Sequence, residues 1–218
     1  MSPPSAQDRS FAVLLPVKPA AVAKSRLLGL GDTARRELVV AFAADTASAA
    51  LESTAVAVVL AVTDDIDLAD LLNGLGAQVV PDGPADDLNG SLVQAAAEAQ
   101  RRWPDLSVAA LCADLPALRS DELSVALSES SRHAASFVAD ADRSGTTMLA
   151  AGVASFTPRF GPESRKAHLD LGVVELDHPE LPGVPGLRRD VDTPDDLRAA
   201  LRLGVGARTA QVVDGLRL

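Results

Sequence analysis

An α/β fold, a mostly parallel sheet with helices on both faces, is what this sequence predicts, and three observations predict it. Apolar runs of strand length alternate with segments of helical periodicity from residue 11 onward. The first of these runs, Phe11 to Val17, is continuously apolar, as a strand covered on both faces requires. Hydrophobic residues make up 47% of the chain but aromatic ones only 3%, so Leu, Val and Ala must fill the interior. That composition suits helices laid on a buried sheet better than a surface that stacks nucleic-acid bases. At 218 residues the chain is expected to form a single domain, residues 1–218, with the polar, Pro/Ser-rich residues 1–10 as a frayed leader.

The elements follow in order. Phe11 to Val17 reads as the first strand, ending at Pro16, and a polar loop leads to a helix capped by Asp32 or Thr33. Leu38, Phe42, Ala49 and Leu51 recur along that helix at roughly helical spacing. Ala55 to Val62 is the second strand, broken by Thr63-Asp64-Asp65. Leu68, Leu71 and Leu72 mark a short helix that Gly74 and Gly76 end, before a third strand at Ala77 to Val80. An alanine-rich helix runs to about Arg102, and Trp103-Pro104 closes it ahead of a fourth strand at Val108 to Cys112. Ser120, Leu123 and Leu127 begin another helix, and strands are expected at Ala135 to Ala139 and Thr147 to Ala151. Thr193-Pro194-Asp195-Asp196 combines a cap, a first-position proline and an acid three residues after the cap, the signature of a helix start.

Charge and cysteine usage narrow the function. Thirty acidic against twenty basic residues give a net charge of −10, which repels nucleic acid. A single cysteine, Cys112, cannot close an intramolecular disulfide, so a reducing cytoplasm is expected. The longest apolar run, Ala55 to Val62, is far below the roughly 20 residues of a membrane helix. His133, His168 and His178 lie far apart, and nothing activates Cys112 or a serine, which argues against a hydrolytic triad.

In parallel sheets ligands collect beyond the carboxyl ends of the strands, and four such loops carry chemistry. Lys18, Lys24 and Arg26 follow the first strand, and the stretch from Met1 to Arg36 holds six basic and two acidic residues inside an acidic protein. Point charges there suit a triphosphate, although a solvated basic loop has the same composition. Neither a P-loop nor a G-x-G-x-x-G pattern is present. Asp114, expected at the end of the fourth strand, can hold Mg²⁺, which takes one or two protein carboxylates plus phosphate oxygens; it also reads as a cap of the turn or of the next helix. Asp190 and Asp192 would share one face of an extended strand end, with Asp192 also readable as a helix-start residue. Last, Arg143-Ser144-Gly145-Thr146 and Arg159-Phe160-Gly161-Pro162-Glu163-Ser164 pair glycine with a helix start at Pro162-Glu163, a combination suited to an acidic small molecule or to a simple turn. Asn89, after the third strand, can hydrogen-bond a purine base or cap the next helix.

With these stations in chain order, the sequence resembles the guanylyltransferases that activate a three-carbon phosphoacid for coenzyme F(420) biosynthesis. The motifs that carry the resemblance are K-x-x-x-x-x-K-x-R, A-D-L-P, R-S-G-T, R-F-G-P-E-S and D-V-D-T-P-D-D-L, spread from about Phe11 to Val212. The resemblance implies a Rossmann-like nucleotidyltransferase fold of the nucleotide-diphospho-sugar transferase type, acting on GTP with Mg²⁺ as cofactor. It also implies phosphoenolpyruvate held by Thr146, Gly161 and Ser164, with Asp114 and Asp190 as metal ligands. Lys18, Lys24, Arg26 and Asn89 are then the nucleotide-binding candidates, Asp114 and Lys24 the catalytic ones, and Arg159 or Arg165 a clamp for the substrate carboxylate. A downstream transferase of the same pathway is the expected protein partner. The acceptors 2-phospho-L-lactate and 3-phosphoglycerate, and a non-catalytic nucleotide-binding module, remain open at this point.

Overall fold

The computed structural model describes residues 10–17, 31–83, 87–177, 181 and 183–216. Lys18, Lys24, Arg26 and the expected leader therefore lie outside the described residues. Element order is β1 (Phe11–Pro16), α1 (Asp32–Glu52), β2 (Val56–Val62), α2 (Ile66–Leu75), β3 (Gln78–Val80), α3 (Leu88–Arg102), β4 (Ser107–Leu111) and α4 (Ser120–Ser130). There follow β5 (Ala135–Ala139), β6 (Thr146–Ala151), α5 (Ser164–Asp170), β7 (Val174–Glu175), α6 (Pro185–Arg188), α7 (Pro194–Leu203) and α8 (Ala207–Leu216). Among the described residues these strands form one seven-stranded sheet in the order β3-β2-β1-β4-β6-β5-β7.

The pairings are parallel except where β6 meets β4 and β5. Its reversal has a local cause. The loop between β5 and β6 is too short for the crossover that a parallel neighbour needs, so the two strands form a hairpin and β6 enters the sheet antiparallel.

Side chains of β1 alternate between two cores. Phe11, Val13 and Leu15 pack with α1, α2 and α4, through Ala43, Ala47, Leu68, Leu72, Leu123 and Leu127. Ala12 and Leu14 face the other way, toward Leu92, Ala95, Ala96 and Ala99 of α3. Leu14 is fully buried, so its truncation to alanine would cost about 2–5 kcal/mol. Helix α1 is covered a second time, because Leu38 and Phe42 pack with Val191, Leu197, Ala200 and Val213 from the C-terminal part of the chain. That third cluster anchors the segment carrying Asp190 and Asp192 against the rest of the domain.

Several boundaries differ from the sequence expectation. Gly31, rather than Asp32 or Thr33, is the N-cap of α1 and supplies no side-chain bond, while Asp32 is a first-turn residue paired with Arg35 at 2.8 Å. Gly74 lies inside α2, and Gly76 alone ends it in the left-handed conformation, with φ at 108°. The capping box at Thr193 and Asp196 is present as expected.

Candidate functional site

A cavity of about 210 Å³ opens at the carboxyl ends of β1 and β4. It is lined by Pro16 at the end of β1, Val17 just after it, Phe42 of α1, Leu88 of α3, the stretch ending at Asp114, and Phe160. Its walls are largely apolar, which strengthens any charge interaction made at its rim. Lys18, Lys24 and Arg26 lie outside the described residues.

Asp114 is not at the strand end itself. β4 stops at Leu111, and Asp114 stands in the loop three residues on. Thr46, a fully buried residue of α1, fixes that loop: its Oγ1 accepts from Leu115 N at 3.1 Å and lies 3.3 Å from the Ala113 carbonyl. Nor does Asp114 cap α4, whose N-cap is Arg119.

Asp190 and Asp192 lie between α6 and α7 rather than on a strand. The expected alternation survives without the strand, because Val191 between them is fully buried and both aspartates are half-buried. Val191 donates its backbone N–H to the Asp114 carbonyl at 3.1 Å, which brings the two carboxylate-bearing segments side by side. Glu122 of α4 supports the approach to Asp190 by accepting from Gly186 N at 3.2 Å and Leu187 N at 2.9 Å. Burial pushes the Glu122 carboxyl above its ordinary range. Among the described residues no three carboxylate, histidine or cysteine side chains are grouped to hold a metal. A pair of hard carboxylates completed by substrate phosphates is nevertheless the donor set Mg²⁺ uses, so the Asp114 and Asp190 segments fit that ion.

The acceptor-side candidates converge from β6 and α5. The backbone N–H of Cys112 donates to the Thr147 carbonyl at 2.9 Å and its thiol to the Thr146 carbonyl at 3.4 Å, so the loop to Asp114 departs beside Thr146. Asp140 shapes the preceding turn by accepting from Ser144 N at 2.9 Å and Gly145 N at 2.6 Å. Gly145 is required there, since a Cβ would meet Asp140 Oδ2 at 2.5 Å and would also stand 3.7 Å from Ser164 Oγ. Ser164, buried, donates its N–H to the Gly161 carbonyl at 3.2 Å. Gly161 has φ at 127°, a conformation that favours glycine. Helix α5 starts at Ser164, two residues later than the expected Pro162 start, with Glu163 as a left-handed N-cap.

Asn89 is bound to this same loop. Its Oδ1 accepts from Phe160 N at 2.8 Å and its Nδ2 donates to the Phe160 carbonyl at 3.0 Å, while Asp87 is the residue that caps α3. Of the two arginines, Arg165 is spent on Glu175 through bonds of 3.0 and 2.8 Å. Arg159 is exposed and donates to the carbonyl of its neighbour Pro158.

His168 links Thr146 to the backbone at Arg159. It is fully buried, with Nδ1 2.9 Å from Thr146 Oγ1 and Nε2 accepting from Arg159 N at 3.0 Å. Burial, with the Arg159 charge second, pushes its pKa down to about 4. Sequence reasoning passed over Thr46, Glu122, Asp140 and His168. Only His168 carried a usable signal, lying one helical turn after Ser164 on the same face.

The chain is similar to known proteins over nearly its whole length. Residues 11–217 match the family model described as "Guanylyl transferase CofC like". The chain is 50% identical over 205 residues to a phosphoenolpyruvate guanylyltransferase of Thermomonospora curvata, covering 93% of this chain and 88% of that one. It is also 50% identical to the enzyme of that name from Streptomyces scabiei, with coverages of 92% and 94%. Among solved structures, one from Desulfovibrio desulfuricans G20 described as a nucleotide-diphospho-sugar transferase superposes with a TM-score of 0.72 at 19% identity, covering 95% and 96% of the two chains. A 4-diphosphocytidyl-2C-methyl-D-erythritol synthase superposes at 0.57 with 14% identity, covering 89% and 99%. The fold is thus the α/β nucleotidyltransferase fold of the nucleotide-diphospho-sugar transferase type.

Proposed function

The chain belongs to the CofC-like guanylyl transferases, and from that premise we propose that it transfers GMP from GTP to phosphoenolpyruvate, serving coenzyme F(420) biosynthesis in the cytoplasm. The observation that supports the reading is the hydrogen bond from Val191 N to the Asp114 carbonyl, which sets the two carboxylate-bearing segments side by side.

A phosphate oxygen of the acceptor attacks the α-phosphorus of GTP. The bond from that phosphorus to the bridging oxygen of the β-phosphate breaks, and pyrophosphate carries away the electron pair. The product is enolpyruvyl-diphospho-guanosine. Because the attacking phosphate is already ionised at neutral pH, no side chain has to remove a proton, and positioning with charge neutralisation suffices. This agrees with a site whose buried histidine is held neutral.

Each residue then has a task. Asp114 and Asp190 would hold Mg²⁺, which supplies charge neutralisation at the reacting phosphates when bound. Lys18, Lys24 and Arg26 take the outer phosphates of GTP, with Lys24 catalytic through its contact with the departing pyrophosphate. Thr146, Gly161 and Ser164 receive the acceptor, and Arg159 meets its carboxylate, since Arg165 is engaged by Glu175. Asn89 is the candidate for the purine base, its amide already bonded to the Phe160 backbone, and a downstream transferase would consume the product.

The test is pyrophosphate release from GTP with phosphoenolpyruvate, 2-phospho-L-lactate and 3-phosphoglycerate in turn, with and without Mg²⁺. Metal-dependent release with phosphoenolpyruvate foremost is the expected result. Preference for another acid changes the acceptor, and nucleotide binding with no release under any condition refutes the transferase reading.

A further inference from the structure

Two bonds determine how the His168 ring is protonated. A backbone amide can only donate, so Nε2, facing Arg159 N at 3.0 Å, must present a lone pair. A neutral ring then carries its proton on Nδ1, and that proton points at Thr146 Oγ1, 2.9 Å away. Phe137 and Phe160 both pack against the fully buried ring, with centroids at 5.4 and 5.7 Å, and such packing opposes a turn that would exchange the two nitrogens. The charged group that bears on the ring is the Arg159 guanidinium, which opposes a second proton.

The consequence lies in the threonine. A hydroxyl has one proton and two lone pairs, and one lone pair of Thr146 is now occupied by the imidazole N–H. Its own O–H cannot point back at a donor, so it is left to serve a different acceptor. We propose that His168 is a positioning residue of the acceptor pocket: its Nδ1–H orients the Thr146 hydroxyl as a donor to the anionic acceptor, while Nε2 fastens the Arg159-Phe160 segment beside it. This rests on the reading that Thr146 contacts the acceptor.

Steady-state kinetics of the full chain with GTP and phosphoenolpyruvate test it, using Thr146→Val, His168→Gln, His168→Asn and the double variant Thr146→Val with His168→Gln. Glutamine can reach Arg159 N but not Thr146, so KM for the acid should rise about tenfold with KM for GTP unchanged, the size expected for one hydrogen bond to a charged group. Asparagine places an amide N–H where Nδ1 stood and should recover most of that loss. The double variant should be no worse than Thr146→Val alone. A raised acid KM in Thr146→Val beside a normal one in His168→Gln overturns the role of His168 only. An unchanged acid KM in Thr146→Val removes Thr146 from the acceptor site and overturns both readings. Equal losses in the two His168 variants, shared by KM for GTP, reduce the residue to packing and also overturn the proposal. Nitrogen-15 NMR of the unaltered protein decides the tautomer independently of any variant's folding: the three histidines give few ring signals, and a buried ring protonated on Nε2 at pH 7 refutes the assignment.

Discussion

Asp114 and Asp190 stand on segments that hydrogen-bond to each other through the backbone, whereas Thr146 at the start of β6, Gly161 in the loop before α5 and Ser164 at the start of α5 stand among several side-chain bonds. On the carboxylate side, Val191 N meets the Asp114 carbonyl, and Thr46 and Glu122 add buried supports from α1 and α4. On the acceptor side, His168 joins Thr146 to Arg159, Asn89 grips Phe160 from α3, and Asp140 shapes the Ser144-Gly145 turn. The first construction includes the Glu122 carboxyl, which burial holds above its ordinary range. The second contains an imidazole whose bond from Arg159 N depends on its being neutral.

The largest effect should come from the carboxylate side. Asp114→Asn is expected to lower kcat by about 10²-fold or more with every acid tested, because it removes charge stabilisation from the transferring phosphates. Its thermal midpoint should stay within a few degrees of the parent, measured by calorimetry. Near-normal turnover would remove Asp114 from the reaction and leave the comparison with one side.

Acid should strike the other side. The folded-state pKa of His168 is depressed to about 4, by burial first and the Arg159 charge second. An unfolded histidine titrates near 6.5, so the unfolded chain binds the extra proton earlier as pH falls. The stability this neutral ring contributes is therefore complete above about pH 6.5 and is lost between there and pH 4, a loss of up to about 3 kcal/mol. Urea titrations at pH 7 and pH 4.5 measure it, and His168→Asn should flatten the difference. A slope unchanged in that variant would assign the acid sensitivity to other groups.

Thr46→Val sharpens the contrast at a smaller scale. It leaves the buried Leu115 N–H without an acceptor, at about 1–3 kcal/mol. kcat should fall further than KM for the acid rises, since the displaced loop carries Asp114. Gly145→Ala should do the reverse. Its methyl group would press on Asp140 Oδ2, costing about 1–3 kcal/mol and raising KM for the acid while kcat falls little. Matching kinetic signatures in these two variants would erase the distinction between the sides.

Much of this was written in local sequence. Strand and helix positions follow from the spacing of Val, Leu and Ala, which is a property of neighbouring residues; the Thr193 capping box and the Gly76 helix end are equally local. The stretches holding Asp114, Thr146, Gly161, Ser164 and Asp190 stood out as motifs because glycines and carboxylates cluster there within a few residues, while their roles come from the family resemblance. Tertiary structure alone decided the rest. No periodicity reports that Val191 would bond Asp114, that Thr46 of the first helix would hold a loop almost 70 residues later, or that Asn89 would grip Phe160. Nor does sequence reveal that His168 would be desolvated between Phe137 and Phe160 and so kept neutral. Those outcomes depend on distances through space and on exclusion of water, which exist only once the sheet has brought remote segments together.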